Sequence, residues 1–146
     1  MRSFRLLAAL ALVGGLLFAT TAAASATGGR PFTTTLSGAE EVPAPGDADG
    51  TGLATITVNP GLGKVCYWLE VSGIAPATAA HIHRAPTGVA GGVVVPLAAP
   101  TNGSSSGCAD VSRELAMAIL TDPSAYYVNV HNAGHPAGAL RGQLGD

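Results

Sequence analysis

Residues 65–71, Val-Cys-Tyr-Trp-Leu-Glu-Val, alternate two faces more cleanly than any other stretch of this chain. Val65, Tyr67, Leu69 and Val71 form one face; Cys66, Trp68 and Glu70 form the other. Successive side chains of a strand point to opposite sides, so this spacing fits a half-buried β-strand and not a helix. Similar runs recur. Phe32, Thr34 and Leu36 alternate with Thr33, Thr35 and Ser37, and Ala54, Ile56 and Val58 alternate with Thr55 and Thr57. Residues 79–83, 92–97, 126–131 and 139–144 read as four more short strands. The chain's 20 glycines and 10 prolines gather between these runs, where turns are needed. Asn59 to Gly63 is a hairpin connection, and residues 84–92 and 100–107 read as loops. One helix is expected, from Ser112 to Leu120, capped by Ser112 and stopped by Asp122-Pro123. The expected fold is an all-β, antiparallel, Greek-key-like sandwich with one short helix.

The first 26 residues have the form of a secretory signal. Arg2 and Arg5 precede an apolar run from Leu6 to Ala19, and Ala24-Ser25-Ala26 is a small-x-small cleavage site. Residues 27–146 then make one domain, and export of the mature chain is the expectation. Cleavage takes Arg2 and Arg5 from the seven basic residues. The formal charge moves from −2 to −4, because all nine acidic residues remain. An acidic chain without clustered Lys and Arg disfavours nucleic acid as a partner. No later stretch is long and apolar enough to span a membrane. In an exported chain the two cysteines, Cys66 and Cys108, are expected to form a disulfide, tying a strand to the Gly/Ser-rich loop.

The residues with the most chemical promise are histidines. His81 and His83 flank Ile82, so in a strand both imidazoles share one face. His131 ends another strand-like run, and His135 follows in the next loop. Three neutral imidazoles on rigid strands suit copper, and suit zinc less well, with water completing the set. His135 is the candidate additional ligand. The competing reading is a wet sheet face, on which Tyr127 and Asn129 join His131 in a polar network. Trp68 and the tyrosines are expected in packing, and Glu40, Glu41, Asp47 and Asp49 as solvated charge. No nucleophile elbow, phosphate loop or carboxylate pair points to a catalytic residue.

Several blocks resemble the CHRD domain, named after chordin. They are Leu36-Ser37-Gly38-Ala39-Glu40-Glu41-Val42-Pro43, Ala79 to His83, Gly88 to Val95, Tyr127 to His131, and Pro136 to Leu144. The resemblance spans residues 32–145 and implies a compact β-sandwich of secreted or surface proteins. It implies little about activity; the expected function is a non-catalytic extracellular binding or structural module with an unknown ligand. A weaker likeness is to copper/zinc superoxide dismutases. His81, His83 and His131 look like that family's copper ligands, and Arg141 like its anion-guiding arginine. No histidine lies between residues 84 and 130, so the bridging and zinc ligands of that family are missing. That departure puts enzymatic turnover in doubt.

Overall fold

Alternation settles the fold locally, and the computed structural model describes residues 28–145. The expected signal segment and its cleavage point lie outside these residues. In chain order the elements are β1 (Arg30–Ser37), β2 (Thr51–Asn59), β3 (Lys64–Ser72), β4 (Ala77–Arg84), β5 (Gly92–Leu97), β6 (Ser104–Asp110), α1 (Arg113–Thr121), β7 (Tyr126–Asn132) and β8 (Leu140–Gln143). All strand pairings are antiparallel, and the strands form one sheet in the order β5-β4-β7-β8-β1-β2-β3-β6. The all-β expectation holds.

The sheet curls until its two ends approach. Just past β5, Ala98 N–H donates to the Tyr67 hydroxyl at 2.9 Å, and the Ser105 hydroxyl donates to Ala98 O at 2.7 Å. With β5 facing β6, strands 3-6-5-4 and 6-5-4-7 each follow a Greek-key path. The inward rows meet in a single core. Ile56, Val58, Val65 and Leu69 come from one half, and Ile82, Val95, Val128 and Leu140 from the other. Among the described residues no helix is long and apolar enough to cross a membrane.

The helix forms where Ser112 predicts it. The Ser112 hydroxyl accepts from Leu115 N–H at 3.1 Å, and Ala116 and Ile119 enter the core. Met117, on the same helix, faces solvent. Ser112→Ala is expected to lower unfolding stability by about 1 kcal/mol, read from urea denaturation. A change within error would show that the cap is dispensable.

Two expectations need correction. Residues 104–110 were expected within and beside a flexible loop, but they pair with β3 as β6. The segment is Ser-Ser-Ser-Gly-Cys-Ala-Asp, with no large apolar residue, because the ring of Tyr67 already fills the space inside it. A Cβ at Gly107 would sit 2.8 Å from the Tyr67 hydroxyl, so the partner of Tyr67 has to be small. Trp68 is the second correction. It lies on the outer face of β3 and is 51% exposed, so it does not pack the core. The tyrosines behave as expected: Tyr126 and Tyr127 are buried, and Tyr67 packs against the core.

Candidate metal centre

Pairing of β4 with β7 sets Ala79 opposite His131, His81 opposite Asn129, and His83 opposite Tyr127. Residues opposite each other share a face, and this face is the one turned away from the core. The three imidazoles therefore gather diagonally across two neighbouring strands. One ring nitrogen from each lies within 4.8 Å of the other two. His81 Nδ1 and His131 Nε2 are 3.2 Å apart.

Backbone carbonyls fix two of the rings. His83 Nδ1–H donates to Gly91 O at 2.9 Å, and His131 Nδ1–H donates to Pro136 O at 3.1 Å. Each bond puts the proton on Nδ1 and leaves Nε2 unprotonated, and in His131 that Nε2 accepts from His81 Nδ1. His83 Nε2 is buried and has no hydrogen-bond partner. Such a donor atom is costly to leave unsatisfied, and a metal ion would satisfy it. Burial pushes the His81 pKa below its ordinary value, and the nearby His131 and His83 push it further down. Burial also lowers His131, opposed by its bond to Pro136 and assisted by His83. Both shifts favour the neutral form, which is the form that binds metal.

The donor set fits copper or zinc. Metal–nitrogen bonds of about 2 Å, drawn across the 3.2 Å gap, subtend roughly 105° at the metal. Such bonds allow separations up to about 4 Å, so the widest pair has to close by less than about 1 Å. Rotation about the imidazole side-chain torsions covers that distance.

Arg141, the candidate anion guide, is only 1% exposed. Its guanidinium lies 3.6 Å from the Tyr127 ring centroid and donates to Val89 O at 2.9 Å and Pro86 O at 3.0 Å. It also donates to Gln143 Oε1, and does not reach Glu70 across the sheet. Its role is to pin the β4–β5 loop to the face. Tyr127 works with it: the ring stacks on His83 at 4.9 Å, and its hydroxyl accepts from Gly91 N–H. The polar network expected to join Tyr127 and Asn129 to His131 does not form: Tyr127 supports His83, and Asn129 donates to Glu41 and to Leu140 O.

His135 stays outside the cluster. Its Nδ1 lies 3.8 Å from Asp47 Oδ2, beside a cavity of about 230 Å³ walled by Glu41, Pro43 and Pro136. Glu41 is another correction, since it is buried and not solvated. Asn129 donates to its carboxylate. Burial raises the Glu41 pKa to about 7, against the pull of Arg141 and of hydrogen bonds from Asn129 and Val42. The roles of Glu41 and of the Gly91 and Pro136 carbonyls leave no mark in the sequence pattern. A glycine–proline loop after each histidine strand was the only available hint.

The cysteines pair as expected, with Cys66 bonded to Cys108 directly across β3 and β6. Neither the curated proteins nor the solved structures yield a match to this chain. The family model for the CHRD domain matches residues 32–144, which takes in β1 through β8 and every histidine of the cluster. The protein therefore belongs to the CHRD domain family.

Proposed function

We propose that this protein is a secreted module that binds copper through His81, His83 and His131, with zinc as the weaker alternative. One observation carries the reading: one ring nitrogen from each of His81, His83 and His131 lies within 4.8 Å of the other two, and His83 Nε2 is buried without a hydrogen-bond partner. A donor set of imidazoles alone, without carboxylate, suits copper and zinc better than calcium or magnesium. Secretion is supported by the disulfide, by membership of the CHRD family, and by the signal-like first 26 residues. The reading assigns binding, and no turnover.

Metal analysis of the mature chain after copper or zinc loading tests it. Wild type is expected to retain a single equivalent of copper, and His83→Ala to bind more than ~10-fold more weakly. Equal uptake by wild type, His81→Ala and His83→Ala would sink the proposal. What would remain is a non-catalytic extracellular binding or structural module.

A further inference from the structure

We infer that His81 is the exchangeable ligand of this centre, the one that a small nitrogen donor would displace as copper is exchanged. The inference rests on the copper reading above and adds the route by which the metal comes and goes. The three histidines are built unequally. His83 and His131 each spend Nδ1 on a backbone carbonyl, which fixes both the ring and its donor atom. Among the described residues, His81 makes its only side-chain hydrogen bond to another candidate ligand, His131.

The surroundings repeat the inequality. His83 is 9% exposed and stacked on Tyr127. His81 is half-buried and meets His83 and His131 by ring edges, with centroids 5.5 and 5.1 Å away. The carbonyl anchors are themselves held. Gly91 N–H donates to Tyr127, and Arg141 ties down the same loop through Pro86 and Val89. Pro136 sits in a turn closed by Gly138 N–H donating to His135 O at 3.1 Å and by His135 N–H donating to Asn132 Oδ1 at 2.8 Å. His83 and His131 are thus held by carbonyls that are themselves anchored, and His81 has no such backbone anchor.

The geometry shows where His81 rests. His131 gives its proton to Pro136, so its Nε2 accepts, and His81 Nδ1 carries the shared proton. To hold a metal ion, His81 would carry its proton on Nε2 and offer the Nδ1 lone pair. Replaced by the lone pair of an amine or imidazole, it would take the proton back to Nδ1, an exchange of lone pairs in which no electron is transferred.

Copper-loaded full-length mature protein tests the inference, with EDTA as acceptor and free imidazole as the added donor. Release from wild type is expected to accelerate in proportion to imidazole concentration. His81→Gly is expected to bind copper at least ~10-fold more weakly and to recover affinity in millimolar imidazole, which refills the vacated position. His83→Gly, whose position is closed by Tyr127 and Gly91, is expected not to recover. Circular dichroism and an intact disulfide establish folding, and His81→Gln supplies a second folded variant with weakened binding. A wild-type release rate independent of imidazole, or equal recovery of His83→Gly, would overturn the inference. Failure of wild type to take up copper at all would instead defeat the copper reading itself, before any imidazole is added.

Discussion

Replacing Cys66 and Cys108 together by serine is expected to cost about 4 kcal/mol of unfolding stability. The bridge closes a segment of 42 residues, and a loop of that length loses about this much unfolded-chain freedom when crosslinked. Cys66 and Cys108 face each other in register between β3 and β6. The strand the bridge holds is a weak one. Residues 104–110 bury little apolar surface, and β6 lies at one end of the sheet. Without the bond, β6 is held mainly by its ladder to β3 and by contacts near Ala98. Urea denaturation of wild type and the double-serine variant measures the difference. A loss under ~1 kcal/mol would mean that the unfolded chain is not restrained as supposed. Copper uptake by the variant at low temperature is expected to be unchanged, because no ligand lies on β3 or β6.

Glu41 carries the next largest effect, and its sign is unusual for a carboxylate. Its pKa stands at about 7 in the folded chain against an ordinary 4.5. Between these two values the folded state holds a proton that the unfolded state has lost. Stability therefore falls as pH rises through this window, and the loss is complete above 7. The shift corresponds to about 3 kcal/mol at pH 8. Glu41→Gln keeps an oxygen to accept from Asn129 and removes the ionisation. The variant is expected to match wild type near pH 4.5 and to be up to about 3 kcal/mol more stable at pH 8. His81 and His131, with lowered pKa values, impose the opposite slope at acid pH. They do so in both proteins, so the difference between the two curves isolates Glu41. A difference that does not vary with pH would show that Glu41 ionises freely in the fold.

What the sequence revealed follows from how its information is stored. Strands with alternating faces, such as 65–71, announce themselves, because burial on one side repeats every second residue. The pair His81 and His83 could be placed on one face by the same rule. Gathering them with His131 required the β4–β7 register, which no local pattern encodes. Strand β6 was hidden because its inward residues are small. Its strand character comes from Tyr67 and the disulfide, both distant in sequence. The burial of Arg141 and Glu41 was hidden for a related reason. Charged residues are expected outside, and only the folded chain brings the loop carbonyls to Arg141 and the β7 amide of Asn129 to Glu41.

The register of β4, β7 and β8 has a consequence for how this protein can change over time. Every odd-numbered residue of interest here, 81, 83, 127, 129, 131, 141 and 143, lies on the loop-covered outer side. The even-numbered residues 80, 82, 128, 130 and 140 are wholly buried core. Chemistry and foldability are thus written in interleaved, nearly independent alphabets along the same three strands. A lineage, or an engineer, can rewrite the odd letters to suit another ligand while the even letters keep the fold.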